Sequence, residues 1–368
     1  MHTKLRLGRN LTKPFMLLNQ RITAFSKLGS FLSNFQSNID FTEKKLMLDH
    51  KWYTGFAKCI QTAHIHNAWF TETMVRLALK GWEENLTEDS LKKWMDNYDG
   101  EKEYSSKKVA VVMAGNLPLV GFHDFLSILI TGHKVIAKLS SNDRKLLPYL
   151  AEVLIAIEPG FKDKITFTEE KLPPFDAVIA TGSNNTARYF EYYFKDKPHI
   201  IRKNRNGVAV LTGQETPEQL DGLAHDIFSF YGMGCRSISK IHIPENYDVD
   251  TFFNHMFQYK EVINHDKYAN NYDYNKVVYL MGLEPLLDNN FMILKEDTAF
   301  SSPIAVVFYE KYKNFKDLKT QLREQREQIQ CIVSSGFIEN EIPYGAAQRP
   351  QLTDYADAID TIAFLMKI

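Results

Sequence analysis

The sequence predicts an α/β protein made of two doubly wound units behind a helical lead-in, and three observations carry that prediction. Between about residues 108 and 334, short apolar runs of strand length alternate with segments of helix length, which requires crossover connections and a mostly parallel sheet. From about 17 to 99, apolar residues recur at helical spacing instead. A chain of 368 residues, 44% hydrophobic, is also long enough for two domains or one large α/β unit. The expected divisions are 1–100 (helical, packed on the first α/β unit), 101–206 (first α/β unit), 207–335 (second unit) and 336–368 (terminal segment).

In the lead-in, Ile22, Phe25, Leu28, Phe31 and Leu32 share one helical face, and Val75, Leu77, Leu79 and Trp82 recur further on. Asp99 to Ser106 is polar and turn-rich, a connection. Lys108–Ala114 then reads as a buried strand, Phe122–Ile130 as a helix closing at Gly132, and Val135–Leu139 as the next strand. Leu146–Ile157 reads as a helix, and Ile165–Phe167 and Asp176–Ala180 as strands. The second unit opens with Val208–Leu211 and continues with a helix over Leu223–Phe230 and a strand over Ser237–Ile243. Strands are expected at Lys276–Leu280, Pro303–Phe308 and Cys331–Ser334, with a charged helix over Phe315–Gln328.

Composition removes several function classes. The formal net charge is −1, from 44 basic and 45 acidic side chains, so nothing general attracts nucleic acid or an anionic membrane. The tryptophans Trp52, Trp69, Trp82 and Trp94 lack basic interleaving and read as packing residues. Three cysteines, Cys59, Cys235 and Cys331, form no CxxC pair and no close cysteine–histidine spacing, against a disulfide scaffold or a structural metal site. A reducing cytoplasm fits best, and no apolar run approaches bilayer-spanning length. Lys4, Arg6, Arg9 and Lys13 suggest a targeting arm, but a true start at Met16 is an equal expectation.

The chemistry-bearing stretch is Tyr231-Gly232-Met233-Gly234-Cys235-Arg236-Ser237, a cysteine framed by glycines at a helix-to-strand junction. Glycine leaves the sulfur open to close approach, and a thiolate is a far better nucleophile than a hydroxyl. Alone, such a cysteine reads more often as a buried structural residue than as a nucleophile. Three stretches precede it at strand ends. Ala114-Gly115-Asn116-Leu117-Pro118 has the bland alternative of a turn before proline. Lys138 has that of a solvent lysine, and Thr181-Gly182-Ser183 that of a plain helix N-cap. Neither GxGxxG nor GxxxxGK[ST] occurs between these strands, so the usual dinucleotide and triphosphate fingerprints are missing.

Taken together and in order, these four pieces resemble the aldehyde dehydrogenase superfamily. Within it they resemble the long-chain acyl-CoA reductases typified by the fatty acid reductase of bacterial luminescence, over about residues 105–310. The resemblance implies an aldehyde dehydrogenase-like fold with a cofactor-binding and a catalytic domain. It makes Cys235 the nucleophile and Asn116 the donor that holds the oxyanion together with the Cys235 N–H. It places Lys138 on the adenosine ribose of a nicotinamide cofactor and Thr181, Gly182 and Ser183 on its pyrophosphate and nicotinamide side, where a helix start favours an anion. Ser140, Ser141 and Asn142 stand where NAD-preferring relatives often carry a glutamate, so NADPH is expected, with NADH as the alternative.

One departure from the superfamily is informative. Aldehyde-oxidising members carry a Glu-Leu-Gly-Gly-Lys stretch whose glutamate activates water, whereas this chain has Ile201-Arg-Lys-Asn-Arg-Asn206, with no carboxylate. An acyl group exchanged with coenzyme A rather than hydrolysed fits that change, with Arg202, Lys203 and Arg205 as candidates for coenzyme A phosphates. His199 is the acid/base candidate, because imidazole titrates near neutrality. Glu296 is the candidate for the nicotinamide ribose, with Asp297 as the alternative. The expected activity is reduction of a fatty acyl-CoA to the aldehyde by a cytoplasmic enzyme. The assembly expected is a homodimer. The rivals are an acyl-phosphate or semialdehyde dehydrogenase and a non-catalytic interaction module with the same fold.

Overall fold

A computed structural model describes residues 16–36, 46–99 and 105–368. The candidate targeting arm and part of the 99–106 connection therefore lie outside the described residues. The lead-in forms α1 (Leu18–Leu32), α2 (His50–His66), α3 (Glu72–Asn85) and α4 (Glu88–Met95). Their starts are set locally: Asp49, Thr71 and Thr87 each accept a backbone N–H at the head of α2, α3 and α4, and Glu88 and Asp89 complement the positive end of α4.

The first α/β unit runs β1 (Lys108–Val112), α5 (Phe122–Ile130), β2 (Lys134–Lys138), α6 (Leu146–Ile157), β3 (Ile165–Thr168), β4 (Ala177–Thr181), α7 (Asn184–Phe194) and β5 (His199–Arg202). All its strands are parallel, in the order β3-β2-β1-β4-β5. The chain winds outward from β1 to β3 and then crosses back to β4, so the winding reverses between β1 and β4. Ligands of open parallel sheets bind at such a reversal, outside the carboxyl ends of the strands.

One face of this sheet carries the main core. Phe25, Leu28 and Phe31 of α1 and Phe56 of α2 are fully buried there with Phe125 and Leu126 of α5 and Val109 and Val111 of β1. Burying side chains of this size contributes roughly 1.5–3 kcal/mol each, which holds the lead-in to the sheet. Leu352 and the short α12 (Thr361–Leu365) return to the same core through Ile362 and Leu365.

The second unit runs β6 (Asn206–Val210), α8 (Pro217–Phe228), β7 (Ile238–Pro244), α9 (Val249–Met256), α10 (Asp266–Met281), β8 (Leu286–Asp288), β9 (Ile293–Glu296), β10 (Val306–Tyr312), α11 (Phe315–Glu324) and β11 (Ile329–Val333). Its order is β11-β6-β7-β10-β9-β8, parallel except for the antiparallel edge strand β8.

One expected strand is a helix. Lys276–Leu280 lies inside α10, because the apolar run Val277-Val278 looks like a strand in isolation while its context is helical. His265 accepts the Tyr268 N–H at the helix start, and the buried Tyr268, Tyr272 and Asn275 fall on one helical face. The short strands β5, β8 and β9 lie outside the sequence expectation; β5 and β8 are edges, where few residues need be apolar.

A buried ion pair ties the first unit together. Arg202, at the end of β5, donates to both Asp124 carboxylate oxygens of α5 (2.6 and 2.8 Å) and to Thr361 Oγ1 (3.0 Å). Removing one partner of such a pair strands a buried charge. Asp124→Ala is expected to cost about 3–5 kcal/mol in urea unfolding, and Asp124→Leu combined with Arg202→Met to recover most of it.

Candidate active site

Cys235 is presented by a turn that the backbone adopts only under constraint. After α8, Phe230 and Tyr231 take left-handed φ values of 53° and 58°, followed by Gly232 at 75° and Gly234 at 103°. For non-glycine residues this conformation costs roughly 1–2 kcal/mol each, and packing opposes that cost. The Phe230 N–H meets Met74 Sδ of α3 (3.1 Å), and the Tyr231 ring lies 5.4 Å from Trp69 and 4.4 Å from His265. The Ser237 hydroxyl donates to Met233 O (2.7 Å). The result is an exposed Cys235 just before β7.

The Asn116 turn is fastened from behind. Asn67, capping the end of α2, donates its side-chain amide to Gly115 O (3.2 Å). A Cβ on Gly115 would overlap Ser140 Oγ, so this turn sits directly on the end of β2. Leu119 takes φ 58°, and its N–H donates to Asp143 Oδ2 (3.3 Å). Burial pushes the Asp143 carboxyl up to about 6 despite its backbone donors.

The two turns meet. A Cβ on Gly234 would come within 2.8 Å of Leu117 Cδ1. Asn116 and Cys235 are each one residue from this contact, and both are exposed, so the amide and the thiol stand at one mouth between the two sheets.

The charges around Cys235 oppose one another. Desolvation pushes the thiol up, Arg236 lowers it, Asp357 raises it, and its own N–H and Arg202 lower it, with a net upward shift. The sulfur reaches solvent through the mouth while protein crowds its flanks. Asp357, in a turn near the C-terminus, pairs with Arg205 (3.4 Å) and accepts the Lys203 N–H (3.2 Å). Sequence reasoning assigned neither Arg236 nor Asp357 a role. A cation beside the nucleophile was visible, but nothing local marked a residue 122 positions away.

The remaining expected site residues divide. Thr181, Gly182 and Ser183 end β4 and start α7 and border the winding reversal with Asn116, while Lys138 ends β2, one strand further out, and Ser140 after it lies against Gly115. Ser183 also does what a plain cap does, accepting the Thr186 N–H (3.2 Å). The structure does not bring His199 or Glu296 there. His199 begins β5 opposite Val178, three residues back from the Thr181–Arg202 end, exposed and bonded to Lys197 O (2.9 Å). Glu296 is level with Tyr309, which pairs with Ile241, roughly 10 Å along the strands from where the Cys235 turn enters β7. Asp297 is paired with Lys295 (2.7 Å).

The three cations proposed for coenzyme phosphates are already neutralised. Arg202 is buried on Asp124 rather than solvated, Lys203 pairs with Glu191 (2.8 Å), and Arg205 pairs with Asp357. Among the described residues, no group of three or more His, Cys, Asp or Glu could hold a metal ion, and no helix is long and apolar enough to cross a membrane.

The fold is that of solved aldehyde dehydrogenases. The structure matches aldehyde dehydrogenase 21 of Physcomitrella patens in complex with succinate, at 11% identity, 96% of this chain, 84% of that chain and a TM-score of 0.66. It matches the NAD+ complex of an aldehyde dehydrogenase from Bacillus cereus at 12% identity, with 88% and 73% coverage and a TM-score of 0.58. An NADP-dependent enzyme of E. coli matches at 11% identity, with 86% and 77% coverage and a TM-score of 0.55. No curated protein sequence matches the chain. The architecture, two parallel-sheet units with a cysteine at the mouth between them, is the fold of those aldehyde dehydrogenases. Residues 83–258, which include Asn116 and Cys235, match the family model for acyl-CoA reductase (LuxC).

Because its thiol is shifted upward, Cys235 carries less thiolate at neutral pH than a free cysteine, and its alkylation by iodoacetamide should go on rising with pH beyond the point where a free cysteine levels off. Asp357→Asn removes a raising influence and should speed alkylation several-fold near neutral pH. Arg236→Gln removes a lowering one and should slow it. Mass spectrometry of the Cys235 peptide reads both. Gly234→Ala, which adds a methyl against Leu117 at positive φ, should cut nucleophile reactivity while leaving the far-UV spectrum unchanged.

Proposed function

We propose that the protein reduces a fatty acyl-CoA to the aldehyde through a thioester on Cys235, with NADPH as the reductant. The observation that carries this reading is the contact of Gly234 with Leu117, which joins the nucleophile's turn to the Asn116 turn at the mouth of a parallel sheet's winding reversal.

The residues present fit a nicotinamide dinucleotide. Gly115 and Gly182 are seated so closely on Ser140 and Thr186 that side chains there would intrude on the turns, and the helix start at Ser183 favours an anion. Lys138 is half-buried at the end of β2. The preference for the 2′-phosphorylated form rests on Ser140, Ser141 and Asn142, which bear no negative charge. Asp143 does not offset this, since its carboxylate is buried and engaged by the Leu119 N–H. When bound, the reduced nicotinamide supplies the hydride.

The chain's own groups do the rest. Cys235 as thiolate attacks the acyl carbonyl, and its attack is helped by Arg236 and Arg202, which favour the charged sulfur. The Asn116 amide and the Cys235 N–H hold the oxygen as it gains charge, a preorganised pair of neutral donors. Coenzyme A leaves as its thiolate. After reduction the thiohemiacetal collapses, the carbon–sulfur bond breaks and the aldehyde departs. With Arg202 and its neighbours replacing the water-activating glutamate of aldehyde-oxidising relatives, no carboxylate in that stretch prepares water to intercept the acyl-enzyme.

The test is intact-protein mass spectrometry with acyl-CoA esters in the absence of cofactor. Wild type should gain one acyl group, Cys235→Ala none, and NADPH should discharge the adduct as aldehyde. Asn116→Ala should acylate roughly 100- to 1000-fold more slowly. An adduct from acyl phosphate but from no acyl-CoA would overturn the substrate assignment.

A further inference from the structure

With Arg202, Lys203 and Arg205 already committed to carboxylates, the protein needs another place for an anionic coenzyme. A cavity of about 750 Å³ opens beside Arg236, between α11, β11 and the turns near the C-terminus. That volume is in the range of small-molecule sites. Four cations line it: Arg236, Lys319, Arg323 and Arg326. None of the four forms an ion pair among the described residues.

Three carboxylates share the cavity, Glu339, Asp354 and Asp360, and the two aspartates are partly engaged elsewhere. Asp360 accepts the Tyr98 hydroxyl (2.8 Å) and the Ala363 N–H (2.8 Å), and Asp354 accepts the Gln351 N–H (2.8 Å). Arg323 and Arg326 sit together at the exposed end of α11, where cations also complement the helix dipole. Arg326 gives one Nη1 bond to Ile329 O (2.6 Å), and its guanidinium retains further donors. Leu322, Ile332, Ile338 and Ile342 give the same cavity apolar lining.

The cavity adjoins the nucleophile. Arg236, which lines it, follows Cys235 directly, and Cys331, also in its wall, directs its thiol at Arg236 O (3.9 Å). Cys235 raises the pKa of the Cys331 thiol, which burial raises most, so the two sulfurs are near enough to interact. Cys235 therefore stands between two spaces: the mouth shared with Asn116 at the dinucleotide end of the first sheet, and this cation-lined cavity.

We propose that the cavity receives the coenzyme arm of the acyl thioester, with its phosphates on Arg323, Arg326 and Lys319 and its neutral arm along the apolar lining toward Cys235. The assignment rests on the acyl-CoA reading above. Its consequence is that thioester and dinucleotide approach the sulfur from different sides, so neither must leave for the other to bind.

The test compares acyl-CoA with the same acyl group on pantetheine, which lacks the phosphates. Arg323→Glu with Arg326→Glu should raise KM for acyl-CoA by about 10- to 100-fold while leaving kcat and the KM for acyl-pantetheine within about twofold. Arg323→Lys with Arg326→Lys, which keeps the charge, should stay within a few-fold of wild type for both donors. An unchanged KM for acyl-CoA in the charge-reversed protein, or an equal rise for both donors, overturns the assignment. If wild type is acylated by neither donor, the acyl-CoA reading itself falls and takes the assignment with it. Acylation by both donors together with an unchanged KM refutes the cavity's role alone.

Discussion

The site depends on the turn between α2 and α3, residues 67–71, which touches both sheets at once. On one side Asn67 holds the Gly115 carbonyl beneath the Asn116 turn. On the other, Ala68 O accepts His265 Nε2 (2.9 Å), and Trp69 stacks on His265 at 5.0 Å and leans on Tyr231. The helical lead-in is thus more than a cover for the first sheet. It holds the Asn116 turn and the Cys235 turn in place relative to each other, and it packs against the two left-handed residues that precede the cysteine.

Buried charge performs a second task, closing the C-terminal segment onto both units. Arg202 links β5 to α5 and to Thr361 of α12. Asp226 of α8 is buried with its carboxyl pushed up to about 7 by desolvation, and it accepts the N–H groups of Gly345 (2.7 Å) and Ala347 (3.0 Å). Ala347 O in turn receives Arg236 Nε (2.5 Å). A chain of bonded groups therefore runs from α8 through the 345–347 turn to the residue beside the nucleophile. Such networks strengthen when every member is satisfied, and they specify one arrangement of the parts.

Much of this was legible in the chain. The helices Phe122–Ile130 and Leu146–Ile157 and the strands around 110, 136 and 178 declare themselves because a parallel sheet is covered on both faces, which makes its inner strands uniformly apolar. Glycines at 232 and 234 marked a backbone that side chains disfavour, and both have positive φ. What escaped was whatever periodicity cannot encode. The apolar run in α10 imitated a strand, and the short edge strands lacked a continuous apolar signal. His199 was a plausible acid/base on chemistry alone, but parallel pairing with Val178 leaves it behind the end of the sheet where Asn116 stands.

By itself the sequence determined the class of fold and the order of its parts and singled out Asn116 and Cys235, because these rest on local patterns of hydrophobicity, turn chemistry and residue type. The tertiary structure alone decided which groups share a neighbourhood. It brought Asp357 to within electrostatic reach of Cys235 across 122 residues, withdrew Arg202 into a buried pair with Asp124, and left Arg323 and Arg326 at a cavity beside the nucleophile. Charges act through space and are neutralised by whatever folding places next to them, so a cation's availability to a ligand is set by its neighbours in the folded chain.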